Sequence, residues 1–102
     1  MSSIGIKMPS FSKVLSQGSY LVDITADFMH DTYLVSGDLL DRGKQDNVLT
    51  GILEAKHAIY KTKRITNIDA SGYFQLRLQP GAKYHLQFHV DGNHFSVDLD
   101  LG

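Results

Sequence analysis

The segment 69–92 constrains the fold of this chain more than any other part of the sequence. Turn signals at residues 69–72, at 80–81 and at Asp91-Gly92 separate two runs in which apolar and polar side chains alternate. Such alternation is typical of a β-strand with one buried face, and an Asp-Gly pair between alternating runs is a strong signal for a two-residue hairpin. The segment therefore predicts antiparallel β-structure.

The hairpin centred on Asp91-Gly92 also has a predicted register. A two-residue turn pairs Phe88 with Phe95 on the face that we expect to be buried. The outward face then carries the pairs His89 with His94, Gln87 with Ser96, and His85 with Asp98. Because the side-chain period of a strand is two, this register places all histidines of the hairpin on one surface.

The rest of the chain predicts further strands of the same kind. Alternation and turn residues indicate strands at residues 20–29, 32–41, 48–57, 58–68, 73–79, 84–90 and 93–101. In the first hairpin Phe28 faces Tyr33 and Ala26 faces Val35, so the two apolar faces coincide. These seven short strands predict an all-β, antiparallel two-sheet sandwich over residues 19–102.

Residues 1–18 interrupt this pattern. Pro9 and Gly18 break the stretch, and polar residues separate its apolar side chains. We therefore expect an irregular N-terminal arm, with a short turn of helix near residues 12–17. The sequence leaves two alternatives open for the arm, which are a disordered tail and a segment packed on the sandwich.

The composition excludes several classes of function. The chain has 102 residues and a formal net charge of -1 with both signs interspersed. Its densest basic run, residues 61–64, is typical of a solvated strand end, so we expect no nucleic-acid partner. The absence of cysteine excludes disulfides, thiolate metal sites and thiol nucleophiles.

No targeting or membrane-spanning segment is predicted. The N-terminal residues lack the run of about 7–15 apolar residues that a secretion signal contains. No other run is long enough to span a bilayer. We expect no membrane partner and a cytoplasmic chain, or an exported one if the sequence is a domain excised from a larger protein.

Two motifs in the second half of the chain carry a family resemblance. They are Asp69-x-x-Gly72-x-Phe74 and Pro80-Gly81-x-x-Tyr84, and they follow segments 35–39 and 49–51. Their order and spacing resemble the carboxypeptidase regulatory-like domains, which have a prealbumin (transthyretin-like) β-sandwich of seven strands. The resemblance covers residues 35–101 and implies an accessory, usually non-catalytic module that packs against another domain or a partner.

The outward face of the last hairpin is the best candidate for chemistry. Directly opposed strand residues have Cβ atoms ~5 Å apart, so His89 and His94 can converge on one metal ion. His85 and Asp98 lie further along the same face. Imidazoles and a carboxylate suit zinc, nickel or copper, and the alternative is a polar sheet surface without a ligand.

A second apolar face on the first hairpin is a candidate binding surface. It consists of Leu21, Met29, Leu34 and Leu40. Such a face favours cover by the N-terminal arm, by a protein partner or by another copy of the chain. Ordinary scattered apolar residues on a surface are an equally good explanation.

The tyrosines suggest a third kind of site. Tyr60 and Tyr73 are free to be exposed and to stack on a carbohydrate, whereas Tyr20, Tyr33 and Tyr84 fall on predicted core faces. We therefore expect a β-sandwich module that binds a protein partner or a second copy of itself, without catalysis and without a cofactor. A metal-dependent or hydrolytic activity on the histidine face and carbohydrate binding are the alternatives.

Overall fold

Eight β-strands make up the described part of the chain. The computed structural model describes residues 10–44 and 51–102. In chain order the strands are β1 (Phe11–Gln17), β2 (Tyr20–Met29), β3 (Thr32–Asp41), β4 (Gly51–His57), β5 (Lys63–Ile68), β6 (Tyr73–Leu78), β7 (Lys83–Val90) and β8 (Asn93–Asp100). These ranges contain no helix, and hence none long and apolar enough to cross a membrane.

The strands form two antiparallel sheets of four strands each. The first sheet has the order β1-β2-β3-β6, and the second has the order β5-β4-β7-β8. Their inner faces pack against each other around one hydrophobic core. The predicted all-β, two-sheet sandwich is therefore confirmed, with eight strands instead of seven.

Aromatic rings join the two sheets across the core. Phe74 of the first sheet contacts Phe88 of the second, with ring centroids 5.5 Å apart. Phe88 stacks on Phe95 at 4.9 Å, and Phe95 stacks on Tyr20 of the first sheet at 4.7 Å. Aromatic pairs at such distances stabilise a fold beyond the burial of their area.

A tight turn sets the register of the β7–β8 hairpin, as the sequence predicts. Asp91 and Gly92 have φ values of 51° and 80°, the positive values of a type I′ turn. Phe88 lies opposite Phe95, and on the outer face His89 lies opposite His94 and His85 opposite Asp98. The predicted register of this hairpin is confirmed.

The β2–β3 hairpin adopts the same geometry without a glycine. His30 and Asp31 have φ values of 52° and 65°. Phe28 pairs with Tyr33 in the predicted register. L-residues adopt this left-handed conformation at a cost of about 1–2 kcal/mol each, so pairing of the apolar strands imposes the turn.

The turn at residues 69–72 carries the chain from the second sheet to the first. The Asp69 carboxylate accepts hydrogen bonds from the Ser71 hydroxyl at 2.6 Å and from the backbone N–H groups of Ser71 and Tyr73 at 2.9 and 3.0 Å. These donors, the Ser71 hydroxyl foremost, hold the pKa of Asp69 below its ordinary value. Gly72 has a φ of 92°, and a Cβ there would overlap the carbonyl oxygen of Leu39.

The structure contains a strand, β1, within the segment that the sequence predicts to be an irregular arm. Residues 11–17 pair along their whole length with β2, so the expectations of irregular structure and of a helical turn near residues 12–17 are wrong. Phe11 and Leu15 are half-buried against the core, and a two-residue turn at Gly18-Ser19 closes the hairpin. Two inward apolar residues make too weak an alternation to reveal the strand, while backbone pairing with β2 stabilises it. Residues 1–9 lie outside the described ranges.

Two further boundaries differ from expectation. The strand predicted over residues 58–68 begins at Lys63, because residues 58–62 form a turn. The strand predicted over residues 48–57 is present from Gly51 to His57, and its first residues, 48–50, lie outside the described ranges.

Candidate functional site

Three exposed apolar side chains lie within residues 59–65, two in the turn before strand β5 and one in the strand itself. Ile59, Tyr60 and Ile65 are 77%, 75% and 61% exposed. Elsewhere in the described chain, Val14 is the other large apolar residue with comparable exposure, at 62%. Residues of this kind usually lie in the core, and a cluster of them on the surface marks a contact with another molecule. Residues 59–65 are called the β5 segment below.

His57, the last residue of β4, shapes the turn from which the β5 segment starts. Its Nδ1 accepts hydrogen bonds from the backbone N–H groups of Ile59 and Tyr60, each 3.1 Å long. The buried imidazole contacts the rings of Tyr60 and Tyr84, with centroids 4.8 and 5.2 Å away. An accepting Nδ1 requires a neutral imidazole with its proton on Nε2. His57 therefore acts as a cap that holds Ile59 and Tyr60 in solvent.

Backbone hydrogen bonds complete this turn. The N–H of His57 donates to the carbonyl of Thr62 at 2.8 Å, and the N–H of Lys61 donates to the carbonyl of His57 at 3.0 Å. The N–H of Ala58 donates to the carbonyl of Lys83 at 2.9 Å, which ties the turn to β7. The backbone N–H groups of residues 57–61 thus all have hydrogen-bond acceptors.

A cleft of about 1030 Å³ opens beside this turn. One wall is the turn at residues 58–62, and the other is residues 79–84. In the second wall, the N–H of Gln79 donates to the Tyr84 hydroxyl at 3.0 Å. Hydrogen bonds to both backbone groups of Leu101, each 2.9 Å long, hold Gly81 and Ala82. The cleft is therefore preformed, as ligand sites usually are.

The first sheet leaves the start of β5 uncovered. Arg64 lies opposite Ala55 in the β4–β5 pair, on the face that points towards the first sheet. Ala55 is fully buried, whereas Arg64 is exposed and lines the cleft. Within the described chain, β5 pairs only with β4, so its other edge has no strand partner. An edge of this kind presents backbone N–H and C=O groups for pairing.

Basic side chains surround the apolar ones. The β5 segment contains Lys61, Lys63 and Arg64, and Lys83 lines the cleft from the opposite wall. Two acids lie near them, Asp100 in the lining of the cleft and Glu54, whose carboxylate is 3.7 Å from the Lys63 ammonium. Cations outnumber acids here, so the site favours a negatively charged ligand.

The predicted histidine site separates into two pairs. His85 Nδ1 lies 2.6 Å from an Asp98 carboxylate oxygen, whereas the rings of His89 and His94 lie side by side with centroids 6.2 Å apart and planes inclined by 37°. Four residues along a strand separate the two pairs by about 13 Å, which is too far for one ion to bind both. Within residues 10–44 and 51–102, no three or more His, Cys, Asp or Glu side chains form a group that could hold a metal.

The apolar residues predicted on the first hairpin lie at its two ends. Leu21 is directly opposite Leu40, and Leu34 and Met29 lie near the other end of the same outer face. Six residues along β2 separate Leu21 from the partner of Leu34, a distance of about 20 Å. The four side chains therefore form two small apolar spots, and binding through them stays a prediction.

The two tyrosines predicted to be available are both exposed but lie apart. Tyr60 lines the cleft, whereas Tyr73, 41% exposed, begins β6 on the outer face of the first sheet. Tyr33 and Tyr84 are buried, as expected, and Tyr20 is half-buried against the core. A sugar platform would therefore involve Tyr60 without Tyr73.

Sequence reasoning missed Ile59, Arg64 and Lys83 as members of a site. The signal was present in residues 59–65, where apolar and basic side chains interleave. Its meaning depends on exposure, which follows from the turn at residues 58–62 and from the incomplete cover by the first sheet.

Comparisons with known protein families, with curated proteins and with solved structures found no match. The resemblance to carboxypeptidase regulatory-like domains, and with it the prealbumin-like fold, therefore stays a prediction. A function for this chain has to be argued from its own surface.

Proposed function

We propose that this chain is a non-catalytic protein-binding module whose β5 segment takes an extended, acidic segment of a partner protein. The observation that carries the proposal is the exposure of Ile59 and Tyr60 in the turn before edge strand β5, and of Ile65 within that strand, next to basic residues in the chain. The proposal keeps the binding role expected from the sequence and assigns it to a different surface.

The mode of binding that suits this surface is strand addition. An extended peptide pairs with the free edge of a sheet through main-chain hydrogen bonds, and pockets for its side chains supply specificity. The edge of β5 offers the pairing groups, and the adjacent cleft, between residues 58–62 and 79–84, offers room for side chains. The partner segment would thus become a ninth strand beside β5.

The charge of the surface selects the partner. Lys61, Lys63 and Arg64 would attract a segment rich in Asp or Glu and accelerate its association. A second copy of the chain would bring an equally basic β5 against this one, and the two edges would repel each other. Charge therefore disfavours a dimer in which two β5 edges pair with each other.

Lysines on an edge strand have a second common role, which is to prevent aggregation. A purely protective edge needs no apolar side chains in solvent. Ile59, Tyr60 and Ile65 are exposed between the cations, which adds an attractive surface to the charged one. This combination supports a binding role for the segment.

The test uses a phage-displayed library of random short peptides selected on the immobilised protein. We expect enriched peptides to combine acidic and apolar residues, with affinities measured by fluorescence anisotropy. Reversing the charge at the edge, in Arg64→Glu, should weaken binding of an acidic peptide roughly tenfold or more. A tenfold loss corresponds to about 1.4 kcal/mol of binding free energy.

Arg77→Glu is the matched control, since Arg77 lies on the edge strand β6 of the other sheet and changes the net charge equally. Equal affinities of both variants for the selected peptides, or no enrichment at all, would contradict the proposal. Light scattering on the free protein tests self-association. A dimer that Arg64→Glu dissociates would assign the edge to a second copy instead.

Carbohydrate binding is the second candidate, and the exposure of Tyr60 in the lining of the cleft supports it. An exposed ring beside polar groups can stack on a sugar face. A glycan array should then give signals that Tyr60→Ala abolishes and Tyr73→Ala leaves intact. A blank array would remove this candidate.

A further inference from the structure

We propose that His89 and His94, on the outer face of the β7–β8 hairpin, bind one late transition-metal ion, with copper(II) bound most tightly. Neutral imidazole is a good ligand for copper, nickel and zinc, and affinity for such sites rises towards copper in the first-row series. The site lies at the tip of the hairpin, at the opposite end of β7 from Lys83 and the cleft. It is therefore independent of the proposed peptide-binding function.

The hairpin turn brings the two imidazoles together. Because Asp91-Gly92 forms a type I′ turn, Val90 and Asn93 are the hydrogen-bonded pair that closes it. His89 and His94 are the next pair, which belongs to the class without mutual hydrogen bonds. Side chains approach most closely in that class, where the Cα atoms are about 4.5 Å apart.

The separation of the rings suits a shared ion. A metal lies about 2.0–2.1 Å from a ligating nitrogen, and so about 3.2 Å from the centre of the ring. Two bound imidazoles then have centroids about 4.5–5.2 Å apart at right or tetrahedral angles, and about 6.4 Å apart when opposed. The observed 6.2 Å lies within this range. Small rotations of the two surface side chains reach the closer geometries without movement of the backbone.

Among the described residues, no cationic side chain lies in the same cross-strand row as the pair. The row of outward side chains across the sheet is Asn67, Ile52, His89 and His94, all uncharged when the imidazoles are neutral. At the turn, the Asp91 carboxylate contacts the Lys44 ammonium at 2.8 Å. Asp91 therefore neutralises the positive charge of Lys44 near the histidines.

Two imidazoles leave coordination positions that water or a donor from another molecule would fill. His85 is too far along the strand to fill one, and its Nδ1 already contacts Asp98 at 2.6 Å. Such a two-histidine site binds metal reversibly rather than as a structural element.

Calorimetric titration of the whole protein with copper(II), nickel(II) and zinc(II) chloride at neutral pH tests the proposal. We expect one copper ion per chain and an affinity roughly tenfold or more weaker in His89→Ala and in His94→Ala. His85→Ala is the matched control on the same strand and face, and it should keep the affinity of the unchanged protein.

Electron paramagnetic resonance of the copper complex gives a second readout. Two equivalent nitrogen couplings are expected for the unchanged protein, and one for His94→Asn, a variant chosen because its polar side chain suits an exposed strand position. No saturable heat with any of the three metals would overturn the proposal. So would an equal loss of affinity in His85→Ala, or copper binding that survives both the His89 and the His94 substitutions.

Discussion

The two sheets present similar apolar faces to each other and differ in the like-charged pair that each presents to solvent. On the outer face of the first sheet, Asp23 lies directly opposite Asp38. On the outer face of the second, Lys56 lies directly opposite Lys63, and the row continues through His85 to Asp98. Each sheet thus carries a like-charged pair, acidic on one side of the sandwich and basic on the other.

The difference between the two outer faces shows which surface features the stability of the fold does not explain. Like charges directly opposite each other destabilise a sheet, so neither pair is explained by the stability of the fold. The interior requires alternation of apolar residues in both sheets, whereas the exterior is free to differ and to serve binding.

The largest expected effect comes from disrupting the aromatic core that joins the two sheets. Phe88→Ala removes the ring that contacts both Phe74 and Phe95, and it should lower the free energy of unfolding by about 3–5 kcal/mol. Chemical denaturation monitored by circular dichroism measures the loss. Tyr73→Ala, on the outer face of the first sheet, should cost far less. Equal losses for the two variants would contradict a core joined by these rings.

The next effect separates the β5 segment from the rest of the fold. His57→Ala removes the acceptor for the N–H groups of Ile59 and Tyr60, and it should cost about 1–3 kcal/mol. Hydrogen exchange of those two amides should accelerate, while the amides of β2 and β3 keep their relative protection. Unchanged exchange at residues 59 and 60 would show that His57 does not hold the turn.

A smaller effect sharpens the comparison of the two outer faces. Asp38→Asn and Lys56→Gln each remove one member of a like-charged pair, and each should stabilise the protein by about 0.2–1 kcal/mol. Denaturation at low and high salt measures both, and high salt should reduce the gain because it screens the repulsion. A loss of stability in either variant would show that its charge has a favourable partner.

The smallest effect concerns the turn that connects the sheets. Since the pKa of Asp69 lies below its ordinary value of 3.8, the ionised carboxylate stabilises the folded state. This contribution is fully present above the pKa that Asp69 has in the unfolded chain. It is lost as the pH falls through the lower pKa that Asp69 has in the folded protein. Stability measured from neutral to strongly acidic pH should therefore fall less steeply in Asp69→Asn. An unchanged slope would contradict the role of the turn carboxylate.

The sequence predicted the hairpins and their registers because their signals are local. Asp91-Gly92 suits a type I′ turn by itself, and the apolar alternation of β2 and β3 leaves one register that buries both faces. The same reasoning missed β1, since Phe11 and Leu15 are its inward apolar residues and its stability comes from pairing with β2. The sequence also predicted a strand through residues 58–62. There the His57 side chain instead accepts hydrogen bonds from the backbone of Ile59 and Tyr60 and holds a turn.

The candidate sites divide in the same way. The facing of His89 and His94 follows from a two-residue turn and was visible in the sequence, as was the exposure of Tyr60. The β5 segment was not visible as a site in the sequence. The same basic and apolar residues would form a covered strand if the first sheet extended over them. Arg64 shows the point, since it occupies an inward position and is nevertheless exposed.

By itself, the sequence determined the all-β class, the inward faces and the tight hairpins, because a period of two and the φ values allowed at turns act over a few neighbouring residues. Only the tertiary structure decided that Phe11–Gln17 adds an eighth strand, that the start of β5 remains uncovered and that each outer face carries a like-charged pair. Those features depend on which strands lie side by side and where each sheet ends. They are set by the packing of residues far apart in the chain.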